Sequence, residues 1–294
     1  MSEIVTMQEK DIRKISTQQR IVKIAVQVLL YIFLTAIAIF VIFPFYWMII
    51  SSLKSVAEYR LSTPTLFPRV IVWQNYVEAF TAANLGKLFM NTVYVGIVST
   101  LLSLVITVLS AFAFARLEFK GRDTLFALLL ATMMIPGELF TITNYVTVTK
   151  LGWIDTYTVL IVPFLVSIFY IYLLRQNFLQ IPNELYLAAK VDGTKDFKYL
   201  WKVMIPLSLP NLISITILKM MGAWNSYVWP RLVANTEHQL ITNGLRNAFT
   251  DMSGQANIPV QMAAVTVVSI PLFMVFIFLR KYIMKGVSRS GIKG

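Results

Sequence analysis

Residues 181–210 read IPNELYLAAKVDGTKDFKYLWKVMIPLSLP, a polar and charged island in a chain that is 57% hydrophobic and only 14% charged. The island reads as two short helices around a glycine. Pro182 and Asn183 give a start signal, with Glu184 in the first turn, where the helix dipole favours an acid. A helix over 184–191 follows, and Ala188 and Ala189 leave little side-chain bulk, so another protein's backbone can come close. Asp192–Gly193 suits a left-handed helix end. Thr194 can cap a second helix, in which Phe197, Leu200, Trp201 and Met204 fall at apolar helical spacing. Pro206 then opens a membrane span. Two readings stand at this point: a docking surface for a soluble partner, or an amphipathic loop resting on lipid headgroups.

The surroundings of the island are membrane-grade. Mean hydropathy is +0.69, far from an ordinary soluble domain. The runs Ile24–Leu53, Leu88–Ala115, Thr156–Leu174 and Met252–Leu279 each reach the ~17–20 apolar residues a bilayer-crossing helix needs. Two more candidates are interrupted: 124–143 by Pro136, Gly137 and Glu138, and 206–229 by Lys219. The chain is therefore expected to be an all-α membrane protein with six transmembrane helices. The expected division is a cytoplasmic N-terminal segment 1–23, a six-span transmembrane domain 24–283 that contains the polar loop 181–206, and a cytoplasmic tail 284–294.

Charge orients these spans. The segments 1–23, 116–122, 175–202 and 280–294 carry 18 of the Lys and Arg residues, and the alternate loops carry 7. The positive-inside rule then puts both termini and the island in the cytoplasm of a multi-pass plasma-membrane protein. The net charge of +12 reads as topology and contact with anionic headgroups rather than nucleic-acid binding. Segment 7–23, MQEKDIRKISTQQRIVK, is open to two readings, an amphipathic helix on the membrane surface or a frayed lead-in. The first apolar run is too long for a signal-peptide core and is expected to stay as an anchor.

No catalytic motif accompanies this architecture. There is no cysteine, hence no disulfide, thiol nucleophile or Fe–S cluster. No HExxH, no GxSxG and no nucleotide-binding glycine-lysine loop is present, Gly86–Lys87 lacking the upstream glycine. No catalytic or metal-ligating residue is therefore assigned, and any energy must come from a partner or an ion gradient. His238, the single histidine, reads as a solvated loop residue beside Glu237. A self-powered enzyme or secondary transporter needs titratable groups at bilayer depth, and the spans offer only Glu138 and Lys219. Lys219 either faces a cavity, partner helix or carboxylate, or snorkels to the surface. The Pro136–Gly137–Glu138 break either lines a pathway or ends the third helix.

Aromatic residues gather near the expected boundaries: Tyr46, Trp47, Trp153, Trp224, Tyr227 and Trp229. Trp224, Asn225, Tyr227 and Trp229 also offer the ring-stacking and hydrogen-bonding chemistry of a sugar pocket, with Lys219 nearby. An interfacial aromatic belt accounts for the same residues.

The island resembles the coupling loop of bacterial ATP-binding-cassette importer permeases, in which Glu-Ala-Ala precedes a glycine and then Ile-x-Leu-Pro. The matching positions are Leu187, Ala188, Ala189, Gly193, Val203, Ile205 and Pro206. Leu187 stands where the motif has glutamate, and Glu184 is not that glutamate. The whole chain is similar to the MalG-type carbohydrate-uptake permeases. The supporting stretches are WQNYVEAF (73–80), NTVYVGIVSTLLSLVITVLSAFAFARLEFKGRD (91–123), MMIPGELF (133–140), KLGWIDTYTVLIVPF (150–164), GAWNSYVWP (222–230) and GIKG (291–294). The resemblance implies a type I importer permease fold with a cytoplasmic coupling helix. It also implies one companion permease subunit, two cytoplasmic ATPase subunits that use the ATP and Mg, and an extracytoplasmic solute-binding protein. This chain itself would bind no cofactor. The solute would be a sugar or oligosaccharide, with glycerol 3-phosphate or another polar solute as the alternative.

Overall fold

Uncharged runs longer than a bilayer is thick leave the backbone one way to satisfy its hydrogen bonds, and the chain is helical accordingly. In the computed structural model, which describes residues 2–235, 237–245, 249 and 256–288, no strand is formed among the described residues. The first helix, α1 (Ser2–Ser52), carries segment 7–23 in line with the first span and contains Pro44. Its apolar part, Val22–Ser52, has no buried residue in its most apolar window, so it lies outside the bundle. It packs on the last helix, α15 (Ile258–Ser288), with Phe45 edge-on to Phe273 at 5.3 Å. The start expected at Met252 and the stretch GIKG fall outside the described residues.

Between them come α2 (Val56–Tyr59), α3 (Gln74–Ala82) and the 32-residue central helix α4 (Leu85–Arg116). A stripe of small residues explains the place of α4. Thr92, Gly96, Ser99, Thr100, Ser103, Thr107, Ala111 and Ala115 are buried along it, and small side chains let helix backbones approach closely. A Cβ on Gly96 would lie 2.8 Å from Met220 Sδ, which marks where another helix crosses. The apolar clusters follow α4 in order. Leu85 and Leu88 join the first, Val95 the second, and Val108, Ala111, Phe112 and Ala115 the third.

The remaining crossings are broken helices. α5 (Arg122–Thr132) is followed by a 3-10 turn (Gly137–Phe140) and α6 (Thr141–Lys150), and the two halves meet at 81°. The Pro136–Gly137–Glu138 break therefore lies between two helical segments. α7 (Tyr157–Ile161) and a 3-10 turn (Val162–Phe164) meet α8 (Ile168–Leu179) at 45°. The run Thr156–Leu174 is thus not one uninterrupted helix, because Pro163 removes an N–H donor and disfavours helix before it. α9 (Asn183–Val191) precedes α10 (Asp196–Tyr199), a five-residue π-turn (Leu200–Met204), α11 (Ile205–Leu207) and α12 (Leu209–Trp224).

The bend before α12 is 81° and falls at Ser208. Pro206 does not open the span. It sits inside α11, where a missing N–H is tolerated near a helix start, and the chain turns by 81° two residues later. Three long apolar helices and three bent pairs give six crossings when each pair is one span. Short helices α13 (Val228–Val233) and α14 (Ile241–Gly244) close the end opposite the island.

At that far end a charged loop is tied down. Lys54 is buried, donates to the Thr65 carbonyl at 2.5 Å and lies over the Trp47 ring. Glu58 is also buried and accepts from the Thr65 hydroxyl at 2.7 Å and the Arg69 N–H at 3.0 Å. Burial alone would raise the Glu58 pKa, but those two donors and the Lys54 and Arg69 charges outweigh it and hold it below its ordinary value. His238 is not simply solvated. It packs edge-on against Tyr157 at 4.4 Å, on a loop whose Asn235, Glu237 and His238 amides donate to the Asp155 carboxylate.

Candidate functional site

The island forms an exposed helix and a fastened turn. None of the residues of α9 is buried, and Leu187 and Val191 are 55% and 88% exposed. Glu184 sits in its first turn and Asp192 caps its end. Gly193 has φ +70°, donates to the Lys190 carbonyl at 3.0 Å, and Thr194 N–H donates to Ala189 at 2.8 Å. That bond pair is a Schellman helix end, which needs a residue without left-handed strain. Thr194 does not cap the second helix. Its amide is spent on the first one, and Lys195 takes the cap position without a side-chain bond.

Polar contacts fasten this turn. Lys190 Nζ lies 2.6 Å from Asp196 Oδ1, and the Tyr186 hydroxyl donates to the same oxygen at 2.7 Å. The Tyr186 ring stacks at a tilt on Tyr199, 5.1 Å away. The hydrogen bond from Lys190, then that from Tyr186, holds the Asp196 carboxyl below its usual range. The same bond raises the Lys190 ammonium.

The two alanines divide their roles. Ala189 packs against the cluster of Phe178, Tyr199, Leu200 and Met204, whereas Ala188 is exposed. Val203 and Ile205 also turn to that cluster, and Pro206 is exposed. The apolar stripe of the second helix splits in the same way: Leu200 and Met204 are buried, Phe197 and Trp201 exposed.

Arginines bind the island to the spans. Arg116, the last residue of α4 and 9% exposed, donates through Nη2 to the carbonyls of Phe178 at 2.9 Å and Ile181 at 2.5 Å. It thereby adds a donor to the Phe178 carbonyl, which also accepts the Ile181 N–H, and to the Ile181 carbonyl just beyond α8. Arg175 reaches back from α8 to the Phe114 carbonyl at 3.1 Å and lies over the Phe126 ring. Sequence alone counted both arginines only as topology. Their one visible signal is position, at the ends of apolar runs.

Lys219 on α12 and Trp229 on α13 line one cavity of about 210 Å³, together with Ser99, Phe164, Tyr170 and Ser226. Lys219 donates to the Phe164 carbonyl at 2.5 Å. The break between the 3-10 turn and α8 leaves that carbonyl outside any helical ladder. Trp229 spends its indole N–H on the Val159 carbonyl at 2.9 Å and stands edge-on to Phe164.

The other candidates fall elsewhere. Trp224 is 5% exposed and packs edge-on against Phe89 at 5.6 Å. Asn225 is exposed and donates to the Met221 carbonyl at 3.0 Å, closing α12. Tyr227 is partly buried at the head of α13.

Comparison with known proteins agrees with this architecture. Residues 88–289 match the family described as binding-protein-dependent transport system inner membrane component. An arabinooligosaccharides transport system permease protein of Halalkalibacterium halodurans is 32% identical over 88% of this chain and 93% of its own length. An sn-glycerol-3-phosphate transport system permease protein of Rhizobium meliloti is 32% identical over 84% and 91%. A chain of a crystallised bacterial ABC transporter involved in the import of the acidic polysaccharide alginate superposes with TM-score 0.78 at 25% identity. That likeness covers 90% of this chain and 96% of the other.

Proposed function

Because this chain belongs to the family of binding-protein-dependent transport system inner membrane components, we propose that it forms half of the translocation pathway of an ATP-driven carbohydrate importer. A companion permease supplies the other half, two ATPase subunits dock on the cytoplasmic side, and an extracytoplasmic binding protein delivers the solute. The chain hydrolyses nothing itself; ATP and Mg belong to the ATPases. Both termini and the 181–206 loop lie in the cytoplasm.

The observation that carries this reading is α9, an exposed helix with Leu187 and Val191 bare to solvent, closed by Gly193 and tied through Arg116 to α4 and α8. Such a helix suits the role of a coupling helix held in an ATPase cleft, with Glu184, Leu187, Ala188, Asp192 and Gly193 at the contact. Ala189, Val203 and Ile205 seat it on the bundle, and Pro206 is exposed beside them. Movement of the ATPases then reaches the spans through α8 and α4. Nucleotide and loaded binding protein drive the inward-to-outward change only by binding its two states differently. The solute passes near Lys219, Trp229 and, at the end of α12, Trp224, Asn225 and Tyr227.

The relatives named for arabinooligosaccharides and alginate support a carbohydrate solute. Glycerol 3-phosphate is the second reading, favoured by a relative of that name and by the lysine in the cavity. Copurification of the chain with its ATPase, lost when 184–193 is replaced by a Gly-Ser linker, tests the docking reading. Stimulation of the assembled complex's ATPase by sugars with the binding protein tests the solute. An ATPase that remains bound without the helix, or stimulation by no sugar, refutes the respective half.

A further inference from the structure

Lys219 is an ammonium within the broken span of α12 that donates to a neutral backbone carbonyl, that of Phe164. A lysine has three N–H donors, so two remain for the cavity. Among the described residues, no acidic side chain lines that cavity. A charged side chain within a membrane span is costly unless something compensates it. The Phe164 carbonyl, freed by the helix break, fixes where the ammonium stands. Beside it are the hydroxyl-bearing Ser99 and Tyr170 and the ring of Trp229, whose N–H is already spent on Val159. The cavity therefore combines one positioned cation, hydroxyls and an aromatic wall, a set complementary to a hydroxylated anion.

We infer that the solute is anionic, a uronate-bearing sugar or a phosphorylated polyol, and that Lys219 is the residue that selects its negative charge during passage. The inference deepens the proposed function and rests on this cavity being part of the pathway. During transport the carboxylate or phosphate replaces water around the ammonium and pairs with its free N–H groups. A neutral sugar leaves the cation unpaired in the same place and is disfavoured.

The test is uptake into proteoliposomes holding the whole complex with its binding protein, using digalacturonate, glycerol 3-phosphate and neutral galactobiose. Wild type, Lys219→Met and Lys219→Arg are compared. Methionine keeps the length and apolar stem and is compatible with a span, so assembly is preserved and is checked by copurification of the companion permease. The expected result is uptake of an anion that falls about tenfold or more in Lys219→Met and largely returns in Lys219→Arg. Galactobiose uptake rises or stays constant in Lys219→Met.

Lys219-dependent uptake of glycerol 3-phosphate alone upholds the anion selection while overturning the carbohydrate reading. Uptake of galactobiose alone, untouched by Lys219→Met, does the reverse. Anion uptake unaffected by Lys219→Met, uptake of no anion, or loss of the companion permease in that variant overturns the inference.

Discussion

Lys190 and Asp196 face each other across the Gly193 turn, their nitrogen and oxygen 2.6 Å apart. Both are partly exposed, so the pair sets geometry more than it adds stability. Asp196 titrates below the ordinary carboxylate range and Lys190 above the ordinary lysine range. A depressed carboxyl stabilises the fold above its unfolded pKa and loses that contribution as pH falls through its folded value. A raised amine contributes below its unfolded pKa and loses that as pH climbs through its folded value. The turn is therefore tight at neutral pH and loosens at both extremes. Amide protection over 183–199, relative to the intrinsic exchange rate at each pH, is expected to fall in acid and in Asp196→Asn at neutral pH, with the spans unchanged. Equal protection in the variant refutes the role.

Gly193 tests the turn in another way. A Cβ there would meet nothing within 4 Å, but φ is +70°, so backbone strain of roughly 1–2 kcal/mol is the cost inside this chain. Asn tolerates that conformation far better than a β-branched residue. Gly193→Val is expected to uncouple ATPase activity from transport, while Gly193→Asn retains most of it. Normal transport and ATPase rates in Gly193→Val, reconstituted with its partners, refute this.

Arg116 is expected to matter through carbonyls it satisfies. Arg116→Met leaves the Ile181 oxygen without its side-chain donor and the Phe178 oxygen with only its backbone donors, a cost of about 1–3 kcal/mol. Arg116→Lys recovers only part of it, since one ammonium cannot reproduce the planar fork. Thermal unfolding in detergent measures the loss. Faster exchange at 178–191 distinguishes a loosened coupling helix from general destabilisation.

Trp224→Ala is expected to lower stability by about 3–5 kcal/mol, because the ring is buried against Phe89 and its removal leaves a cavity. Trp224→Phe keeps most of that packing. Altered uptake in Trp224→Phe at unchanged stability marks a solute contact, whereas loss confined to Trp224→Ala marks a packing residue.

What the sequence makes legible follows from how local each signal is. The span at Leu88–Ala115 is found as Leu85–Arg116, since an uncharged run of that length allows only a helix. Gly193 is legible because one residue sets the turn. The break after Pro163 and the 81° bend at Ser208 are less so, since proline forbids a hydrogen bond without saying which way the chain then turns. The partners of Arg116 and Lys219 lie 62 and 55 positions away. No local pattern encodes a carbonyl freed by another helix's break.

Leu187 supplies the last prediction. It stands where the family's coupling loop carries glutamate, and it is exposed on α9 with Leu185 and Val191. In the proposed complex an ATPase cleft matched to this chain would meet an apolar patch at that point, and the contact would draw on area buried, roughly 25 cal/mol per Å². Burying a carboxylate against such a cleft without a partner costs several kcal/mol. Leu187→Glu is thus expected to weaken docking to the chain's own ATPase, while Leu187→Met keeps it. Binding of the purified ATPase to the permease pair in nanodiscs, measured across salt concentrations, decides the matter. Apolar docking predicts weak salt dependence in the wild type and a larger dissociation constant for Leu187→Glu. Tighter binding by Leu187→Glu that fades with salt would show instead that the cleft keeps a cation for the family's glutamate, and that shape alone does not hold α9 in place.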